Sequence, residues 1–374
     1  MEGGKVTDDT RIRAIEPTMQ TILQQGASLV IMAHQGRPKG KADPAFSQKP
    51  LLPILEALLK RKVHFAESLS GSQTQAMAQT LKPGEVLLLE NLRFDAREEK
   101  NDPGFAKELA ALGEIYVNDA FANSHRAHAS MVGVPTLLPS YLGLECEEEV
   151  GHLSAIVTDP KRPLTLLVSG AKMETKVPVI EYFLEKGDDI LLGGAIANTF
   201  IAARGFDVGT SLYEPAFVEK AQEIMLMSEA EGMAKIHVPR DVIVATEKSE
   251  TALKLDLPLE DIAGDMCVFD IGKVTIDRYA AILGKSGMII WNGPVGLYEF
   301  NRFSHATKRI AESIAAATSQ GAYSVIGGGD TIDFHLRYGY DLSAYSFVST
   351  GGGAMLDFVS GKPLPALEVL IKAS

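Results

Sequence analysis

At 374 residues and 46% hydrophobic content, the chain is long enough to bury a sizeable core and favours two domains over one. A formal net charge of −12 excludes a general nucleic-acid or membrane-surface binder, so any anionic ligand has to be held by local clusters of Lys, Arg and glycine amides. Two cysteines, Cys146 and Cys267, give neither a disulfide framework nor zinc-ligand spacing, and no apolar run reaches bilayer length or reads as a leader, which predicts a soluble cytoplasmic protein.

Short apolar runs that stop at polar or glycine-rich corners alternate with helical patterns along the chain. In order they are SLVIMAH, EVLLLENLRF, EIYVNDAF, LTLLVSGAK, DILLGGA, KIHVPRDVIVAT, GMIIWNGP, YSVIGGGD and YSFVSTGGG. Fully apolar strands separated by helices predict parallel sheets covered on both faces. FAKELAALG and RIAESIAAATSQG carry helical spacing and end near glycine. The runs are too many for one sheet, so the expected fold class is α/β, with two doubly wound parallel-sheet (Rossmann-like) domains joined by a hinge helix. The boundary is read at Pro139 to Val157, where a Glu-rich helical segment follows proline-punctuated chain. The expected division is 1–142, a connecting helix at 143–157, and 158–361.

Ligands of open parallel sheets gather beyond the carboxyl ends of the strands, so the residues closing each run carry the chemistry. In the first half these are cationic or imidazole: Arg11 near the start, then His34 and Arg37, Arg93, and finally His125, Arg126 and His128. Gathered at one sheet edge of an acidic protein they form a pocket for a small polyanion, with Arg suited to bidentate phosphate or carboxylate contact. His125 and His128 lack a third ligand at metal-binding spacing, so no metal is read there.

The second half differs. SGAKMETK puts Lys172 and Lys176 on one face of the first turns of a helix. LLGGAIANTF adds a glycine corner, and WNGPVGLYEF sets Glu299 beyond a turn, where a carboxylate can accept ribose hydroxyls. The triplet Gly327, Gly328 and Gly329 runs into Asp330, well placed for Mg²⁺ held between carboxylate and phosphate oxygens. A near echo follows at Gly351, Gly352 and Gly353. Strand, glycine loop and helix aim backbone N–H groups at an anion. The whole describes a nucleotide site facing an anion site, hence phosphoryl transfer by positioning and charge stabilisation.

At TDDTRIRA, HQGRPKGK, LENLRF, NDAFANSHRAHAS, SGAKMETK, GGAIANTF, WNGPVGLYEF, GGGDT and STGGGA, in that order over essentially the whole chain, the sequence resembles phosphoglycerate kinase. The resemblance implies a glycolytic, cytoplasmic and monomeric enzyme that exchanges a phosphoryl group between 1,3-bisphosphoglycerate and ADP, giving 3-phosphoglycerate and ATP. It implies that Arg11, His34, Arg37, Arg93 and Arg126 bind 3-phosphoglycerate, with Arg11 also stabilising the transferring group. Lys172 and Lys176 would contact nucleotide phosphates or the moving phosphoryl, and Gly193, Gly194, Asn292, Pro294 and Glu299 would line the nucleoside pocket. Gly327 to Gly329, Asp330 and Thr331 would serve the bound nucleotide and magnesium, while Gly351 to Gly353 would cradle the phosphoryl in flight. The segment 362–374 would return to the N-terminal domain.

The pattern departs from the family at the start, where members carry a strand reading approximately R-V-D-x-N-V-P before GKVTDDTRIRA. Loss of that interior strand would remove ligand contacts and leave neighbouring backbone groups unpaired. Ala195, Gln35 and the FANSHRAH run are smaller departures, expected to tune packing and affinity. Two alternatives stand beside the kinase: a truncated or catalytically impaired nucleotide-binding homologue kept for interaction, and a nicotinamide-dependent dehydrogenase, supported only by the glycine-rich strand ends.

Overall fold

The computed structural model describes residue 6 and residues 9–373, of which 371–373 are described by backbone alone. By contact the chain divides into two compact units, residues 1–151 with 363–374 and residues 152–362.

The first unit holds strands β1 (Leu29–Ile31), β2 (Val63–Ala66), β3 (Val86–Leu89), β4 (Tyr116–Asn118) and β5 (Ser140–Leu142). β1, β3 and β2 form one parallel sheet with β3 central, and β4 pairs with β5 in a separate parallel ribbon. All four residues of β3 are fully buried because successive side chains enter opposite cores. Leu87 and Leu89 join Phe105, Leu109 and Tyr116, whereas Val86 and Leu88 join Met19, Leu23, Leu55 and Leu59. Each such leucine contributes about 1.5–3 kcal/mol on burial. A single doubly wound sheet was expected, yet among the described residues β1 pairs only with β3 and β4 only with β5. The pieces still share a core, since Val30, Leu87, Tyr116 and Leu142 lie in one apolar cluster. The helix Pro365–Ala373 belongs to this unit, with Leu370 in that cluster and Ala366 N–H donating to Ser124 O at 3.1 Å.

The second unit holds β6 (Leu164–Val168), β7 (Asp189–Leu192), β8 (Lys235–His237), β9 (Asp241–Ala245), β10 (Leu255–Pro258), β11 (Cys267–Ile271), β12 (Met288–Asn292), β13 (Tyr323–Gly327) and β14 (Phe347–Ser349). Six of them form a parallel sheet in the order β14-β13-β12-β6-β7-β8. β6 sends the chain one way to β7 and β8, and the later strands build the other way from β12, so the order reverses at β6 and β12. An antiparallel sheet of β10, β9 and β11 was not anticipated. The run KIHVPRDVIVAT reads as continuous, but Pro239 has no N–H for a ladder, and the chain breaks there into β8 and β9. The helix Leu144–Thr158 crosses the point at which the two units divide. No described helix is long and apolar enough to cross a membrane.

Candidate active site

In the first unit the carboxyl ends of β1, β3 and β4 carry His34 with Arg37, Arg93, and His125 with Arg126 and His128, whereas Arg11 lies in the short helix Thr10–Ala14 ahead of β1. The loop after β1 is fixed from β3: Asn91 Nδ2 donates to Gln35 O at 2.7 Å and to Phe46 O at 2.8 Å. Glu90 accepts from Ser47 Oγ and Gln48 N–H, both at 2.7 Å. These two loop-holding residues were missed in the sequence, although LEN closing an apolar run is their signal. Arg93, only 5% exposed, donates through Nη1 to Gly36 O at 2.8 Å and faces Glu99 through Nε at 3.3 Å.

The charges of Arg93, Arg126 and Arg11 act on His34, those of Arg126 and Arg37 on Arg93, and those of Arg37 and Arg11 on Arg126. Burial first, then the charges of Arg93, Arg126, His128 and Arg11, push the His34 imidazole down to about 3, so it is neutral at pH 7. Burial and then the neighbouring Arg126 lower Arg93; burial and then Arg37 lower Arg126. Glu99 and the buried Glu98 offset this only in part, and Glu98 is engaged with Ser130. A cluster whose members repel one another in this way is stabilised by a polyanion. His125 Nε2 accepts from Arg126 Nε at 3.3 Å and His128 Nδ1 lies 3.7 Å from Glu98, so both imidazoles belong to this cluster.

In the second unit the predicted residues close adjacent strands at one edge. β6 runs into Ser169, Gly170 and Lys172, the last preceding the helix Met173–Lys186; β7 runs into Gly193 and Gly194 before Gly194–Ala203. β12 ends at Asn292, β13 at Gly327 and β14 at Ser349. Asn292 is the central tie: its Oδ1 accepts from Lys176 Nζ and its Nδ2 donates to Gly327 O at 3.0 Å. Thr331 Oγ1 donates to Gly327 O and accepts from Gly293 N–H, both at 3.0 Å. Burial pushes the Lys176 ammonium down to about 8 against the opposing charge of Asp330. Asp330 offers one exposed carboxylate, the hard oxygen donor that suits a divalent cation taking its other ligands from phosphate.

Gly193 is extended, but a Cβ there would lie 2.7–2.9 Å from Val295, including its Cα, so side-chain-free packing is what the corner requires. Ser169 Oγ donates to Pro294 O, a contact the sequence reading missed. Gly328 has φ +104° and Gly352 φ +51°, which turn the chain between each strand and the helix after it. Gly351 N–H donates to Ser349 Oγ at 3.0 Å, and Gly353 opens the helix Gly353–Val359. Lys172 and Glu299 are exposed, and the Tyr298 phenol is raised first by burial, then by its hydrogen bond to Asp333 and the charges of Asp333, Asp330 and Glu299. The edge where strand order reverses, between β6 and β12, is the place where open α/β sheets take ligands.

The family model of phosphoglycerate kinase matches residues 1–362. The chain belongs to the phosphoglycerate kinase family. It is 43% identical over 369 residues to the phosphoglycerate kinase of Chloroflexus aurantiacus, covering 98% of this chain and 92% of that protein. Against the phosphoglycerate kinase of Thermomicrobium roseum it is 42% identical over 372 residues, covering 100% and 94%. Among solved structures, the phosphoglycerate kinase of Coxiella burnetii superposes with a TM-score of 0.86 at 36% identity, over 100% of this chain and 93% of that one. That of Pyrococcus horikoshii gives 0.85 at 32% identity with the same coverage. A phosphoglycerate kinase is a phosphotransferase of glycolysis that binds nucleotide, and this chain is an enzyme of that kind with its two Rossmann-like domains.

Proposed function

We propose that this chain catalyses reversible transfer of a phosphoryl group from 1,3-bisphosphoglycerate to ADP, giving 3-phosphoglycerate and ATP. The observation that carries the reading is the order of corners on the six-stranded sheet. Adjacent strands present Gly351–Gly353, Gly327–Thr331, Asn292 with Pro294, Lys172 with Lys176, and Gly193–Gly194 in turn. Glycine amides, two lysines and one carboxylate along a single edge match a nucleoside di- or triphosphate. Residues 158–361 then form the nucleotide domain, 1–142 with 362–374 the 3-phosphoglycerate domain, and 143–157 the connection.

In the direction of ATP consumption, a carboxylate oxygen of 3-phosphoglycerate forms a bond to the γ-phosphorus as the bond from phosphorus to ADP breaks. That nucleophile is already ionised at neutral pH, so no general base is required. His34 accordingly serves as a neutral hydrogen-bonding contact, with Arg37, Arg93 and Arg126 supplying charge to the substrate and Arg11 to the transferring group. Lys172 and Lys176 take the nucleotide phosphates, the amides of Gly351–Gly353 cradle the phosphoryl, and Gly193, Gly194, Asn292, Pro294 and Glu299 hold the nucleoside. Asp330 would hold magnesium together with the nucleotide phosphates, the ion when bound offsetting phosphate charge, and Thr331 would stand at the phosphates beside it. Catalysis is positioning and electrostatic stabilisation.

The test is Mg-ATP consumption by the purified chain with and without 3-phosphoglycerate. Turnover that depends on 3-phosphoglycerate is expected. Nucleotide binding without such turnover would overturn the reading in favour of a binding protein.

A further inference from the structure

The two glycine triplets follow neighbouring strands whose pairing sets Gly327 beside Ser349, and a second tie joins the helix after the first triplet to the segment that leads into the second strand. His335, in the helix Gly329–Tyr338 that follows the first triplet, is fully buried. Its Nδ1 is 2.6 Å from Thr331 O and its Nε2 is 2.8 Å from the Tyr345 hydroxyl. A carbonyl oxygen only accepts, so Nδ1 carries the proton, and Nε2 of the neutral ring accepts from the tyrosine. The rings of Trp291, Phe334, Tyr340 and Tyr345 surround it at centroid distances of 5.3, 5.2, 6.1 and 5.1 Å. Burial in this apolar shell lowers the imidazole pKa, outweighing the bond to Thr331. With its proton directed to His335, the Tyr345 hydroxyl leaves Ala311 O, at 3.4 Å, as the weaker alternative.

The two ends of this link reach different loops. Thr331 stands in the first turn of the helix Gly329–Tyr338 and ties Gly293 to Gly327, next to Asp330. Tyr345 stands just before β14, whose far end carries Gly351–Gly353. The helix Gly329–Tyr338 already has its own backbone bonds. What the imidazole adds is a connection from that helix to the segment feeding the second triplet.

We propose that His335 and Tyr345 form a buried crossbar that, added to the pairing of β13 with β14, holds the two glycine loops at the spacing at which both address one nucleotide. Both are positioning residues that act through the backbone of Thr331 and the start of β14. The inference rests on the nucleotide reading above.

The experiment is isothermal titration of Mg-ADP into the wild-type protein, Tyr345→Phe, His335→Leu and the double variant, with KM for 3-phosphoglycerate measured alongside. Each single change is expected to weaken Mg-ADP binding about 3- to 10-fold, the size of one hydrogen bond. The double variant should be no weaker than either single, because both remove the same link. The KM for 3-phosphoglycerate should stay unchanged. Nitrogen-15 spectra of the wild-type imidazole should show the Nδ1–H tautomer from pH 6 to 8. His335→Asn, which keeps a donor near Nδ1 and loses the reach to Tyr345, should match Tyr345→Phe. Multiplicative losses in the double variant, an equal loss of 3-phosphoglycerate affinity, an Nε2–H ring, or wild-type Mg-ADP affinity in both single variants would overturn the crossbar. A wild-type protein that does not bind Mg-ADP would overturn the nucleotide reading and the crossbar with it.

Discussion

Lys176 shows how position alters a side chain whose identity is plain in the sequence. Its ammonium is held against Asn292 Oδ1 and lowered to about 8, chiefly by burial. A phosphate ligand takes the protonated form, so Mg-ADP affinity should fall as pH rises from 7 to 9, by up to about tenfold per unit above the pKa. Arginine stays charged throughout that range, so Lys176→Arg should flatten the dependence. Titration of Mg-ADP at pH 7, 8 and 9 checks this, and an equal slope in both proteins would assign it to another group. Lys172, four residues earlier and exposed, shares the charge but not the burial.

At the scale of elements, the site depends on how closely strand ends and helix starts approach. Two glycines separate packing from ligand access. A Cβ at Gly193 meets Val295 backbone at 2.9 Å, so Gly193→Ala should cost about 1–3 kcal/mol of stability. A Cβ at Gly329 meets nothing within 4 Å, and the residue opens a helix, so Gly329→Ala should be neutral or slightly stabilising. If the first triplet admits phosphate closely, Gly329→Ala should nevertheless weaken Mg-ADP binding. Urea unfolding beside nucleotide titration distinguishes the two effects; a Gly329 variant with unchanged nucleotide affinity would exclude that approach.

For the molecule as a whole, the cationic cluster couples the protonation of His34 to stability. His34 has a folded pKa of about 3, below its ordinary value of 6.5. Between those values the unfolded chain binds more protons than the folded one, so stability rises with pH across this window and is lost as pH falls from 6.5 toward 3. His34→Gln should give a shallower fall in urea midpoint from pH 6.5 to 4 than the wild-type protein. Comparing the two proteins cancels the other titrating groups, and identical slopes would mean that His34 does not titrate in this way.

Much of this protein was legible in sequence because the chemistry of parallel sheets is local. An apolar run that stops at glycine, lysine or arginine identifies a strand and the edge at which its candidate ligand residues emerge, and Lys172, Asn292, Gly327 and Gly351 all follow such runs. Tertiary structure alone decided which strands are neighbours, and so which corners meet. Strand order put β12 beside β6 and joined Lys176 to Asn292 across 116 residues. It divided the first sheet in two and gave Glu90 and Asn91 their hold on the loop after β1. It also brought Tyr345 to His335. Backbone preferences and apolar periodicity act over a few residues, whereas hydrogen bonds between distant polar groups exist only after the core has placed both partners.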